Sequence, residues 1–186
     1  MIEISFLTAE LALAAVWLAF RIAVWIRNRQ IRWKREAVLL LMYVNLAVLL
    51  RITFFPMARV NGHVQPLVFD ASAVYPFWIN RVPFVHLFDF ASRRDLLVNV
   101  IGNAAMFVPS GIILPVVYRR LDRFPKVLLA GAGLSLCIEL LQLPFSVRAS
   151  DVDDLILNTL GVIVGYGIYA LFRRRKRHGK KDRRAL

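Results

Sequence analysis

The chain has 186 residues, of which 59% are hydrophobic and only 20% charged, yet its net charge at pH 7 is +13. Soluble domains of this size are typically about 45–50% apolar, and disordered chains have low hydrophobicity, so the composition argues against both classes. The presence of only one cysteine excludes a disulfide framework and any cysteine-based zinc site.

Apolar runs follow one another along the chain, and each is close to the length that crosses a hydrocarbon core of about 30 Å. The residues before the first run include no basic residue, unlike a secretory signal peptide, so we interpret this run as an uncleaved span. The sequence therefore predicts an all-α polytopic membrane protein with five transmembrane helices. The predicted spans are Phe6–Ile26, Ala37–Pro56, Leu96–Val117, Val127–Phe145 and Leu155–Phe172.

The basic residues are concentrated in the segments that alternating spans place on one side of a membrane. Eighteen of the 25 lysines and arginines fall in residues 27–36, 119–126 and 173–186. The positive-inside rule assigns these segments to the cytoplasm, so we predict that the N-terminus lies outside and the C-terminus inside. Most of the net charge is thus a topology signal. The basic tail also suits anionic lipid, but no aromatic residue is interleaved in it, so we expect no nucleic-acid partner.

A long segment between the second and third predicted spans, residues 57–95, is amphiphilic and rich in aromatic residues. Pro76 and Pro83 interrupt it, which argues against a further span. Aromatic side chains with scattered charges are typical of a segment at the lipid headgroup level. We therefore predict an amphiphilic outer loop between helices 2 and 3, and the sequence leaves open whether it only anchors the protein.

Polar side chains inside the spans lie near the outer ends of the third, fourth and fifth helices. Insertion of one ionisable side chain into the membrane costs about 2.5–3.5 kcal/mol, so its presence in a span indicates a bonding partner or a function. Helical spacing predicts that the members within each span share a face. Arg51 of the second span, at a similar depth, is the expected counter-ion of Glu139. The layer comprises Asn99, Asn103, Glu139, Gln142 and Asn158. Asp151 and Asp154, which precede the fifth span, are spaced so that they share a helix face with Asn158.

Structural roles remain open for several of these residues. Asn99 and Asn103 are also typical of hydrogen bonds between membrane helices. Asp151 or Asp153 is suited to cap the N-terminus of the fifth helix. The Gly161–Gly165 spacing indicates close helix packing rather than chemistry, and Arg21 is expected to snorkel towards the inner face.

Several blocks of residues follow one another along this chain, namely Asn80–Phe84, Asn99–Asn103, Phe107–Gly111 with Leu114–Pro115, Glu139–Gln142, and Arg148, Asp151, Asp154, Asn158 and Gly161. In their order and spacing, these blocks resemble the VanZ-like membrane proteins. The resemblance covers about residues 80–165 and implies a bacterial plasma-membrane protein. Its namesake is associated with low-level resistance to teicoplanin-type glycopeptide antibiotics, and no established catalytic role is attached to the motif. We expect one five-helix domain over residues 1–172 and a basic tail over 173–186.

Two functions are consistent with this pattern, and the sequence leaves open whether the protein is an enzyme. In the first, an outer-leaflet pocket binds the headgroup of a membrane lipid or lipid-linked cell-wall precursor. Arg81 and Arg148 would hold its phosphate or carboxylate, because the guanidinium fork suits such groups. Amide or sugar groups would be bound by Asn99, Asn103, Gln142 and Asn158.

In the second, the protein is an intramembrane hydrolase or transferase that acts on a lipid-linked phosphate. Glu139 would be the general base, and Asp151 and Asp154 would hold a divalent cation. Apart from this cation, we expect no cofactor. A proton-coupled transporter is less consistent with the pattern, because the polar residues line only the outer half of the predicted bundle. The sequence does not indicate an oligomeric state.

Overall fold

The computed structural model describes residues 2–55, 59–60, 62–70, 79–80, 82–84, 92–145 and 150–182 of the chain. Over these residues, five helices are long and apolar enough to cross a membrane. The prediction of five transmembrane helices is thereby confirmed. The helices are α1 (Phe6–Asn28), α2 (Trp33–Phe54), α3 (Arg93–Val117), α4 (Phe124–Gln142) and α5 (Val152–Asp182), with a short 3₁₀ turn at Arg119–Leu121 before α4.

The residues near each helix end explain where the helices begin and end. The hydroxyl of Ser5 caps α1 by accepting a 3.1 Å hydrogen bond from the backbone N–H of Thr8. Helix α4 ends at Gln142 rather than at Phe145, because Pro144 disfavours helical backbone in the residue before it. Helix α5 continues past Phe172 to Asp182, since the tail is dominated by lysine and arginine, which are good helix formers.

Short strands occur in the connecting segments, where the sequence had predicted only loops. Strand β1 (Ile2–Ile4) pairs antiparallel with β4 (Leu67–Phe69), and β5 (Ile79–Asn80) pairs in parallel with β6 (Ser150–Asp151). These pairings connect the N-terminal segment with the α2–α3 segment, and the α2–α3 segment with the α4–α5 loop. A further small hairpin joins β2 (Arg59–Val60) to β3 (His63–Val64). Its turn includes Gly62 at φ +78, a conformation that favours glycine.

The chain divides into two compact units, and both contain residues of α4 and α5. The first unit comprises Met1–Pro83 and Leu136–Asp153, and the second comprises Phe84–Ser135 and Asp154–Leu186. Apolar residues form a core in each. In the first unit these include Leu39, Met42, Leu49, Phe54, Phe55 and Leu67, and in the second Phe107, Leu114, Val117, Val127, Leu157 and Val162.

Glycines bring α3 and α5 into backbone contact within the second unit. A Cβ on Gly161 would collide with the carbonyl oxygen of Ala104, and one on Gly165 would collide with that of Val108. Only glycine permits so close an approach, as is common between membrane helices. The packing role predicted for the Gly161–Gly165 spacing is confirmed.

The distribution of polar and apolar side chains suits a lipid environment. On α1, large apolar residues such as Leu7, Val16 and Ile26 are exposed. Arg21 of the same helix is buried and forms a two-point ion pair with Glu36 of α2, with N–O distances of 2.8 and 2.5 Å. The carboxylate of Glu36 on the neighbouring helix compensates the burial of Arg21, whereas the snorkelling of Arg21 towards the inner face stays a prediction.

Candidate functional site

The side chain of Asn80 joins the segment after α2 to the segment before α5. Its Nδ2 amide donates to both carboxylate oxygens of Asp151, at 3.2 Å to Oδ1 and 3.3 Å to Oδ2. Its Oδ1 accepts a 3.2 Å hydrogen bond from the backbone N–H of Val82. This contact depends on the parallel β5–β6 pairing, in which Asn80 is the register partner of Asp151.

Asp151 links this pair to the two adjoining helices. Its Oδ1 accepts a 2.9 Å hydrogen bond from the backbone N–H of Asp153, which caps the first turn of α5. The backbone N–H of Asp151 donates at 3.1 Å to Oε2 of Glu139 on α4. The capping role that we considered for Asp151 is therefore confirmed. We call Asn80, Glu139 and Asp151 the loop lock.

Two predicted site residues on α4 are buried within the first unit, with Glu139 4% and Gln142 6% exposed. The Nε2 of Gln142 donates a 2.8 Å hydrogen bond to the backbone carbonyl of Thr53, close to the end of α2. Carbonyls at a helix C-terminus have no partner within the helix, so this bond satisfies one of them. Gln142 thus ties α4 to the end of α2.

Arg51 lies at the same end of α2, among aromatic rings. Its guanidinium donates to the backbone carbonyl of Phe55 at 2.9 Å, and its Cζ lies 5.3 Å from the centroid of the Phe6 ring. This geometry is that of a cation–π contact between the ends of α1 and α2. The ion pair of Arg51 with Glu139 that we proposed from the sequence stays a prediction.

In the second unit, polar side chains of α5 bond to α3 and α4. The Nδ2 of Asn103 donates to Oδ1 of Asp154, which connects α3 with α5. The Nδ2 of Asn158 donates to Oγ of Ser135 on α4 at 2.9 Å, and both of these residues are almost completely buried. The expected hydrogen bonding between membrane helices is confirmed for Asn103, whereas Asn99 is exposed.

The common helix face that we predicted for three residues of α5 needs a correction. Asp151 precedes the first residue of α5 and belongs to β6, so only Asp154 and Asn158 lie on that face. An N-cap residue has non-helical backbone, and helical spacing therefore does not extend to it. The other two predicted ligands of an anionic group, Arg81 and Arg148, lie outside the described residues.

The sequence also matches a known protein family. The model of the VanZ/LLP1 family matches residues 38–173, which is most of the chain and includes the loop lock. The chain belongs to the VanZ/LLP1 family. The match takes in α2, beyond the residues 80–165 on which the resemblance was based. With its five apolar helices, this VanZ/LLP1 member is a multi-pass membrane protein.

One similar protein is Protein VanZ of Enterococcus faecium, which is 32% identical over 105 residues. The aligned region covers 56% of this chain and 60% of the relative, so the chain spans about three fifths of that protein's length. No solved structure matches the chain.

Metal binding by this VanZ/LLP1 member depends on what its carboxylates already contact. Asp151 accepts hydrogen bonds from Asn80 and Asp153, and Asp154 accepts one from Asn103. In the part of the chain that the structure describes, no group of three or more His, Cys, Asp or Glu is arranged to hold a metal ion. A cation held by Asp151 and Asp154 stays a prediction.

Some residues of these contacts were not selected from the sequence. Asn80 stands in an aromatic, proline-broken segment, and its only signal was its place in the block that resembles the family. Ser135 is a small polar residue in an apolar helix, which indicates packing as readily as hydrogen bonding. Thr53 contributes through its backbone carbonyl, so its side-chain type carries no signal for this contact.

Proposed function

We propose that this protein acts in the bacterial cell envelope, where it confers or modulates resistance to glycopeptide antibiotics of the teicoplanin type. A polar pocket on its extracytoplasmic face binds the headgroup of a lipid or lipid-linked cell-wall precursor. The N-terminus and this face lie outside the plasma membrane, and the basic segments lie in the cytoplasm. Membership of the VanZ/LLP1 family, the similarity to Protein VanZ and the positive-inside pattern support this proposal.

The observation that carries the proposal is the loop lock. It joins the α2–α3 segment to the α4–α5 loop through hydrogen bonds that span 71 residues of sequence. Arg81 directly follows Asn80 in the chain, and Arg148 precedes Ser150 by two positions. The segments that the lock joins therefore carry the two arginines most suited to bind a phosphate or carboxylate.

The enzymatic alternative requires the same residues to have other roles. It needs the carboxylates of Asp151 and Asp154 to bind a cation and Glu139 to accept a proton. In the structure, Asp151 accepts bonds from protein N–H groups, and Glu139 accepts one from backbone. These contacts are those of residues that hold loops in place, and they favour binding over hydrolysis.

The arginines provide the direct test. The full chain, Arg81→Gln and Arg148→Gln are expressed in a teicoplanin-susceptible bacterium, with Arg94→Gln as a matched control on the exposed start of α3. We expect Arg81→Gln and Arg148→Gln to lose protection at unchanged membrane abundance, because glutamine keeps hydrogen-bonding capacity but not the charge. Arg94→Gln should protect like the wild type. Full protection by both of the first two variants would contradict the proposed pocket.

A second variant separates binding from metal-dependent catalysis. Asp154→Asn retains an oxygen that accepts from Asn103 but removes the charge that a cation needs. We expect Asp154→Asn to keep protection. If this variant reaches the membrane in normal amounts and protection is lost, the hydrolase or transferase alternative is favoured.

A further inference from the structure

We propose that Asn80 is a positioning residue of the site, and that the Asn80–Asp151 pair acts as an exchangeable amide–carboxylate link. This inference rests on the proposed function, and it assigns a role to a residue that the sequence pattern had not selected. Asp151 then contributes hydrogen-bond acceptors that hold the α2–α3 segment, rather than a metal ligand or a proton acceptor.

The amide nitrogen and the amide oxygen of Asn80 form hydrogen bonds with different partners. The amide nitrogen bonds to Asp151, whereas the amide oxygen accepts from the backbone N–H of Val82. The residue between Asn80 and Val82 in the chain is Arg81, the proposed ligand of an anionic headgroup. The side chain of Asn80 therefore bonds both to Asp151 and to the backbone two residues further along the chain, and such local bonds are typical of asparagine and aspartate.

In the contacts of the described residues, the side chain of Asp151 serves as an acceptor, whereas its backbone N–H donates to Glu139. Its carboxylate accepts from the amide of Asn80 and from the backbone N–H of Asp153. An asparagine at position 151 would keep the cap of α5, since asparagine and aspartate are about equally good N-cap residues. An aspartate at position 80 would keep the bond from Val82, because that bond also needs only an acceptor oxygen.

It follows that the amide at position 80 and the carboxylate at position 151 can be exchanged. In Asn80→Asp/Asp151→Asn, the amide at position 151 donates to the carboxylate at position 80, and the other bonds are retained. In Asn80→Asp alone, two carboxylates face each other across a hydrogen-bonding distance and repel. In Asp151→Asn alone, two amides still form one hydrogen bond, so the defect should be milder.

The experiment compares the wild type, both single variants and the exchanged double variant, each as the full chain. Asn28→Asp, at the exposed end of α1, controls for an added carboxylate. Teicoplanin protection is measured at matched membrane abundance, and the thermal unfolding of each purified protein is measured in detergent. We expect Asn80→Asp to lose protection and to unfold at a lower temperature. The double variant should recover both properties.

Each outcome bears on the proposal. If the double variant unfolds like the wild type but gives no protection, the carboxylate must be at position 151 and the positioning role is overturned. If the effects of the two single changes on the unfolding temperature simply add, the residues are not coupled, and the link itself is overturned. If even the wild type gives no protection, the proposed function fails, whereas the unfolding comparison still tests the link.

Discussion

The backbone N–H of Asp151 donates a 3.1 Å hydrogen bond to Oε2 of Glu139, and it thereby connects the α4–α5 loop to a carboxylate that is 4% exposed. A buried carboxylate inside a membrane bundle is costly unless protein donors satisfy it. Here a loop amide is one such donor, and the side chain of the same Asp151 caps α5. Glu139 thus helps to determine where α5 begins.

Replacement of Glu139 separates its role as an acceptor from its charge. Glu139→Gln retains an oxygen that accepts from Asp151, so we expect the free energy of unfolding to stay within about 1 kcal/mol of the wild type. Glu139→Ala leaves that N–H without this partner and should cost about 1–3 kcal/mol. Thermal or denaturant unfolding of the purified proteins in detergent measures the difference.

Antibiotic protection by the same variants tests the proposed function. We expect Glu139→Gln to protect because binding does not need a general base at this position. A stable Glu139→Gln protein that gives no protection would instead support catalysis by Glu139.

The close approach of α3 and α5 depends on Gly161. Gly161→Ala forces its new methyl group against the Ala104 carbonyl, so we expect a loss of about 1–3 kcal/mol in unfolding free energy. Gly167→Ala, on the same helix, is the matched control because a Cβ there meets nothing within 4 Å. Equal stability of the two variants in detergent would show that these helices separate at no cost.

The buried Asn158–Ser135 contact should contribute measurably to the second unit. Ser135→Ala removes the acceptor of the 2.9 Å bond, and Asn158→Ala removes the donor. A double-mutant cycle in unfolding free energy is expected to give a coupling of about 0.6 kcal/mol, with about 1.7 kcal/mol as the upper range for such bonds in membranes. A coupling near zero would mean that the bond adds no stability beyond packing.

The ion pair between Arg21 and Glu36 is expected to hold α1 against α2. Arg21→Gln leaves Glu36 without its bidentate partner, and we expect a loss of up to about 3 kcal/mol, reduced by the 11% and 16% exposure of the two side chains. Arg21→Met/Glu36→Leu replaces both charges with apolar groups and should be more stable than the single variant. Unfolding midpoints in detergent provide the comparison, and a double variant less stable than Arg21→Gln would refute this account.

How far the sequence predicted the site can be judged from Asp151. Its suitability as a helix cap was predictable, because capping is a local property of aspartate before a helical run. Its link to Asn80 was not, because the two residues are 71 positions apart and meet only through the β5–β6 pairing. Strands of two residues leave no alternating pattern from which to predict such a pairing.

Composition and hydropathy by themselves determined that this is a five-span membrane protein, because the length of an apolar run is compared directly with the thickness of a bilayer. Most of the lysines and arginines behind the net charge of +13 lie in segments that the positive-inside rule predicts to be cytoplasmic, and this orientation stays a prediction. Only the tertiary structure decided which polar residues meet, as with Asn103 and Asp154, or Arg21 and Glu36. Spacing along one helix specifies a face, whereas the partner of that face depends on how the helices pack.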